Sequence, residues 1–335
     1  MNFLELNPTQ EDYWRAIILF GKNVASYKFA LAQSLLELKV KGHTFVTLEE
    51  LAIPYSKYLT QHLQEEDRQT TSKSSKFLDS CRAYNTAVIP YDELIAKTVK
   101  LGFANVIDAF HNVNYGELPL RFFIDHRREK KGITLTDDLF LLDSSNLSGE
   151  VEGRWRLVET AWRLKLSRNL LHVNYDDERQ LLFTTSSSSR KDVTSIRDAI
   201  SGYQKGKCFY CFTDISIISG SPILADVDHF FPHKLGDIIS PINGVWNLVL
   251  SCQHCNRGTG GKFDQLPSHY LLERLHKRNE FYINSHHPLK ETLKAQTGGA
   301  TQARINFLSA NYLTASTGTL INSSWKPMFE HPSVF

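Results

Sequence analysis

The sequence predicts an α+β chain with a mainly helical domain over residues 1–190, a smaller domain mixing strand and helix over 191–285, and a helical tail over 286–335. Three observations predict it. Long apolar-periodic segments fill the first two-thirds of the chain. A Ser/Thr run, TTSSSSRKD at 184–192, then reads as a linker. After that break, four of the five cysteines fall into two CxxC pairs, which pin a segment too short to bury a large core alone.

With 335 residues, 41% of them apolar and 11% aromatic, the chain has ample material for cores, and disorder is not the reading. A formal charge of +2 means that a nucleic-acid surface has to come from local clustering. The N-terminal MNFLELNPTQED carries acids and lacks the basic-then-apolar pattern of a secretory signal. The most apolar stretch, Trp14 to Leu38, is interrupted by Arg15, Lys22 and Lys28. A cytoplasmic protein without membrane contact is expected, and in that setting CxxC pairs are metal ligands rather than a disulfide framework.

In chain order, Asn7-Pro8, with Gln10 three residues after Asn7, opens a long helical stretch, EDYWRAIILFGKNVASYKFALAQSLLEL, that Gly42 closes. Thr47 and Glu50 have capping-box spacing for the next helix. Within VEGRWRLVETAWRLKLSRNLL, Trp155 and Trp162 recur on one face beside Arg156, Arg163 and Arg168. That pattern fits either a solvated helix with inward tryptophans or a phosphate-tracking face. LHVNY and QLLFTT around DDER read as a hairpin, and Thr194 to Tyr203 as a short helix. Beyond Ser268 comes a helix with Arg274, Lys277 and Arg278 on one side, then two helical pieces around Gly298-Gly299. His286 and His287 before Pro288 read as a helix-entry loop, and the lone Cys81 as a small buried apolar residue.

CFYC and CQHC supply Cys208, Cys211, Cys252 and Cys255, and four thiolates match a closed structural Zn2+ site. Compact zinc ribbons return after roughly 15 to 20 residues. Here residues 212 to 251, 40 in all, lie between the pairs. His254, inside the second pair, can compete as a ligand, although four sulfurs complete the set. Fixing both ends of the segment to one ion supplies the closure it needs to fold.

The insertion carries Asp226, Asp228, His229, His233 and Asn247, and Asn256-Arg257 follow the last cysteine. CFYC, DVDHFFP, VWNLVLSC and CQHCNRGTGGK, in this order, resemble the HNH nucleases, specifically the ββα-metal nucleases with a four-cysteine zinc site, over about residues 200 to 267. Cleaving a phosphodiester needs an activated water, a cation to neutralise charge on the phosphate, and help for the departing oxygen. Histidine suits the base, and a carboxylate with an amide oxygen suits Mg2+ or Mn2+. His229 is therefore the expected general base, and Asp228 and Asn256 the expected metal ligands. The resemblance implies that Asn247 fastens the hairpin loop and orients the base, and that Asn256 replaces the family's more usual histidine. Arg257 and Lys262 are candidates for gripping the scissile phosphate, ordinary solvated charges being the other reading. Asp226 is a candidate support for His229 or the metal, and His233 either supports the site or lies on the surface. A straight strand would point Asp228 and His229 to opposite faces, so one shared site requires a bend.

The expected function is metal-dependent hydrolysis of DNA. A zinc-dependent DNA-binding module without cleavage and an RNA-directed nuclease are the alternatives. The resemblance further implies a restriction or anti-phage effector, with other defence-system proteins as partners and oligomerisation left open.

Overall fold

The computed structural model describes residues 8–21, 24–72, 74–113, 116–143, 145–163, 174–186, 189–285, 287–317 and 325–335, with the backbone alone at 20, 184–186 and 189–193. Helix accounts for 51% and strand for 13%, so the chain is mixed helix and sheet with helix dominant. It divides into two compact units, 2–165 and 166–335.

In the first unit, α1 (Gln10–Phe20) starts from Thr9, not from Asn7-Pro8. The Thr9 hydroxyl accepts from the Asp12 amide while the Asp12 carboxylate accepts from the Thr9 amide, a reciprocal cap. Asn7 lies outside the described residues. The expected single long helix ends at Gly21, and α2 (Tyr27–Val40) begins a second one. After β1 (Phe45–Thr47), the Thr47–Glu50 capping box opens α3 (Leu48–Glu65) as expected. Then follow α4 (Lys76–Asn85), α5 (Tyr91–Lys97) with a π-helical turn (Thr98–Gly102), and α6 (Val106–Ala109). Short strands come next: β2 (Asn112–Val113), β3 (Gly116–Glu117), β4 (Phe123–His126) and β5 (Gly132–Leu135). Helices α7 (Asp137–Phe140) and α8 (Leu147–Arg163) complete the unit. Strand β5 lies between β1 and β4, and β2 pairs with β3, all antiparallel.

The core is aromatic, built around Trp14, Phe29, Tyr55, Phe77, Phe110, Phe122 and Trp155. Trp155 and Trp162 of α8 are both buried. Arg156 is engaged by Glu65, Glu152 and Glu159, and Arg163 by Glu66. The inward-tryptophan reading of α8 therefore holds, because both tryptophans are buried and Arg156 and Arg163 are paired with carboxylates within the unit; Arg168 lies outside the described residues. Cys81 is fully buried, and burial pushes its thiol up to about 12, as suits a small apolar residue.

The second unit opens with an antiparallel sheet, β6 (Asn174–Asp176), β7 (Leu181–Ser186) and β8 (Ser189–Ser195), in that order. The expected linker at 184–192 is therefore not one. Thr184 and Thr185 pair with Lys191 and Arg190 across β7–β8, and the division between the units falls upstream at 165/166. β-Branched threonines suit a strand as well as a loop, and only the pairing partner decides between them. Helix α9 (Ile196–Gln204) ends at Lys205 in the left-handed region. Next come β9 (Asp226–His229), β10 (Leu248–Ser251), α10 (Gln253–Arg257), α11 (His269–Asn284), α12 (Lys290–Thr297) and α13 (Thr301–Thr317). The tail belongs to this same unit: the His331 amide donates to Cys211 O at 2.9 Å, and Trp325 Nε1 to Gly260 O at 2.9 Å. The basic stripe expected on α11 is broken. Arg278 is buried and donates to Trp246 O at 3.0 Å, bracing the turn before β10. His287 is buried, its Nδ1 accepting from the Leu289 amide, while His286 lies outside the described residues. Among the described residues no helix is long and apolar enough to cross a membrane.

Candidate functional site

The four cysteines converge. Cys208 and Cys211 sit in a turn after α9, Cys252 is the N-cap residue of α10, and Cys255 lies within α10. Their sulfurs all lie within 4.8 Å of one another, with Cys211 Sγ 3.7 Å from Cys252 Sγ. Phe212, at φ +59°, takes the left-handed conformation that turns the chain back, so that the Cys208 amide donates to Thr213 O at 2.8 Å. The Phe209 amide donates to Leu250 O at 2.9 Å, which fastens this turn to β10. Four ionised sulfurs so close would repel one another, and their acidities split accordingly. Hydrogen bonding within the cluster pushes Cys211 and Cys252 down, while burial pushes Cys208 up and the neighbouring sulfurs push Cys255 up. A cation at the centre removes that conflict, so the cluster can hold a metal ion. His254 is exposed and lies outside the cluster.

Strands β9 and β10 form an antiparallel ladder with His229 opposite Leu248 and Asp228 opposite Val249, and α10 follows directly. Asp226 and Asp228, two apart, share one strand face. Asp228 is buried, its Oδ2 accepting from the Tyr210 hydroxyl at 2.5 Å and its Oδ1 from Lys262 Nζ at 3.1 Å. Lys262 is 0% exposed and donates also to His229 O at 2.7 Å and Phe263 O at 3.3 Å. The expected phosphate-gripping role for Lys262 is thus corrected. Its ammonium is enclosed and holds the strand rather than facing solvent.

The glycines of NRGTGGK explain how it gets there. A Cβ on Gly258 would come 2.8 Å from His254 Cα, and one on Gly261 2.8 Å from Gly258 O. The loop therefore folds tightly onto α10, and the Lys262 amide donates to Cys255 O at 2.7 Å.

His229 is also buried, and its Nε2 lies 2.8 Å from Asn243 Oδ1. That contact makes Nε2 the protonated nitrogen and leaves the Nδ1 lone pair available on a neutral ring. Burial lowers the imidazole's pKa, against the opposing pull of Asp177, Asn243 and Asp228, and nearby His233 lowers it further. The ring of Tyr175 lies 6.3 Å away and that of His233 5.1 Å. The Asp228 carboxylate and the His229 ring hydrogen-bond to different partners, and Lys262 links the two residues by joining that carboxylate to the His229 carbonyl.

Asn247 is fully buried and fastens the loop as expected. Its Nδ2 donates to Phe231 O at 3.0 Å and to Ile242 O at 2.9 Å, and its Oδ1 accepts from the Phe231 amide at 2.8 Å. The residue that touches and orients His229 is Asn243 instead. Asn256 Nδ2 donates to Asp226 Oδ2 at 3.0 Å, and Arg257 grips the same carboxylate through Nε at 2.8 Å and Nη2 at 3.2 Å. Asp226 is thus the partner of Asn256 and Arg257 rather than of His229. The Arg257 side chain is 60% exposed and faces solvent beside it. His233 is exposed.

Sequence reading missed Tyr210, Asn243, Tyr175 and Asp177. Tyr210 lies inside the first cysteine pair and Asn243 beside Gly244, so both stood next to motifs already singled out; Tyr175 and Asp177 carried no such signal. Comparison of the chain with protein-family models, with curated proteins and with solved structures finds no match.

Proposed function

We propose that the second unit is a metal-dependent endonuclease of the HNH type that hydrolyses DNA phosphodiester bonds. One observation carries the reading: the β9–β10–α10 unit, held by a four-sulfur cluster, carries a buried histidine with a depressed pKa, its ring on Asn243 Oδ1 and within electrostatic reach of Asp228 and Asp177. The structural ion is Zn2+. A tetrahedron with Zn–S of about 2.3 Å has sulfurs roughly 3.8 Å apart, and Cys211 Sγ and Cys252 Sγ lie 3.7 Å apart here.

The oxygen donors fit a hard cation. Asp228 accepts one hydrogen bond at each oxygen and keeps further lone pairs, and among the described residues Asn256 engages its side chain through Nδ2 with Asp226. Asp228 and Asn256 would hold Mg2+ or Mn2+, which supplies charge neutralisation for the scissile phosphate. His229, kept neutral by burial and oriented by Asn243, takes the proton of the attacking water. Asn247 holds the loop carrying both, Arg257 contacts a phosphate from the open side, and Lys262 positions Asp228 and the His229 carbonyl. The family resemblance extends the proposal to a restriction or anti-phage effector that works with partner proteins.

A second reading, a DNA-binding module without cleavage, is favoured by the Lys262 ammonium already seated against Asp228. Supercoiled plasmid incubated with wild type and His229→Ala, with Mg2+, Mn2+ or EDTA, separates the two. Metal-dependent nicking that falls by about 10²–10⁴-fold in the variant supports the nuclease. A folded, metal-loaded protein that retards DNA on a gel but never cuts it supports the module.

A further inference from the structure

Outside this site, the first unit carries a cleft of about 380 Å3 lined by Val24, Ala25, Tyr27, Lys28, Thr70, Ser72, Ser74, Ser75, Asn105, Val106 and Ala109. That volume lies within the range of small-molecule sites, roughly 300–1,000 Å3. Extended segments at 24–26 and 69–71 pair along one side: the Ser26 amide donates to Gln69 O at 3.0 Å and the Thr71 amide to Val24 O at 2.8 Å.

Two features of the lining point to an anion. Lys28 is 7% exposed, and its ammonium donates to Asn112 O at 3.1 Å and to no carboxylate among the described residues. A buried cation without a counter-charge is costly unless an anion arrives to neutralise it. Burial alone lowers the ammonium to about 8, so the cost is already being felt. The second feature is the amino-terminal end of the 14-residue α2, which begins at Tyr27 with neither a side-chain cap bond nor an acid in its first turn. Its unneutralised dipole adds to the same field. Around this positive end stand the hydroxyls of Ser72 and Ser74, with Thr70 Oγ1 donating to Val24 O and Ser75 Oγ held by Tyr27 and the Leu78 amide, while Val24, Val106 and Ala109 supply apolar wall.

We propose that this cleft binds a phosphorylated small molecule of nucleotide size, its phosphate received by Lys28, the amino-terminal end of α2 and the Ser72 and Ser74 hydroxyls, and its remainder lying on the apolar wall. A cleft of this volume encloses one such molecule rather than tracking a polymer backbone.

Isothermal titration of the full chain with inorganic phosphate, AMP, ADP and adenosine tests this without reference to cleavage. Binding of a phosphorylated probe but not of adenosine is expected, weakened about 10-fold or more by Lys28→Met, the loss of one charge-assisted contact. Ser74→Glu, a change at an exposed lining position, should also weaken it by placing a negative charge beside the phosphate, which keeps the test decisive if Lys28→Met does not fold. No heat with any probe overturns the proposal, as does equal binding of adenosine or binding unchanged in the variants. A short oligonucleotide that binds through Lys28 while mononucleotides do not would overturn it too.

Discussion

Replacing Lys262 by methionine keeps an unbranched apolar stem, one atom shorter, and removes the charge that holds Asp228. The ammonium is enclosed and reaches Asp228 Oδ1 at 3.1 Å, His229 O at 2.7 Å and Phe263 O at 3.3 Å. In the variant Asp228 keeps only the Tyr210 hydroxyl and becomes a buried carboxylate without a counter-charge. Removing one partner of a buried ion pair costs about 3–5 kcal/mol. Urea unfolding followed by tryptophan emission on wild type, Lys262→Met, Asp228→Asn and the double variant measures it. The double variant should recover part of the loss, because the stranded charge is gone, with a coupling energy of about 1–3 kcal/mol. A single-variant loss below about 1 kcal/mol, or no coupling, would mean that Lys262 is solvated and the enclosed ion pair is the wrong description.

Chelation or Cys208→Ser should unfold the second unit while the first unit keeps its helical signal, and metal analysis should recover about one ion per chain; survival of both units without metal would refute the staple. If the second unit is the nuclease proposed, the acid limb of its pH–rate profile should lie below about 6.5, because burial depresses His229; a limb above that value removes His229 as base. In the first unit, burial pulls His62 down, but the hydrogen bonds its ring donates to Glu152 and Glu159 outweigh it and raise the pKa in balance. A raised folded pKa stabilises fully below about 6.5 and is lost as pH rises through the folded value. Urea midpoints of wild type should therefore fall between pH 6 and pH 9 more steeply than those of His62→Gln, and parallel curves would contradict it. Asn247→Ala deletes three buried hydrogen bonds and should cost at least about 2 kcal/mol, read from the same unfolding curves.

Much of the local structure was legible in the residues. Thr47–Glu50 predicts its capping box because the two groups satisfy each other within one turn, with no help from elsewhere in the chain. The CxxC spacing predicts a four-sulfur cluster because two residues between cysteines leave their sulfurs free to converge. Trp155 and Trp162 predict a buried face of α8 from their spacing alone. Elements whose meaning depends on a distant partner were not legible. The serine run at 184–192 carries both strand and linker character, and its pairing within a hairpin decided for strand. The apolar periodicity of the α1–α2 stretch continues across Gly21, where the fold ends α1 before α2 begins at Tyr27.

The candidate site divides along the same line. By itself the sequence determined which chemical groups stand together on one short stretch: Asp226, Asp228 and His229 on a strand, the cysteines around it, and Asn256-Arg257 after them. Tertiary structure decided what each group faces. It enclosed Lys262 against Asp228, gave His229 to Asn243 rather than Asn247, turned Asp226 toward Asn256 and Arg257, and brought Tyr210 onto Asp228 from the first cysteine turn. The reason is physical. Spacing along a chain sets which side chains share a strand face or a turn, whereas burial and counter-charge arise from segments tens of residues away that only the fold brings within reach.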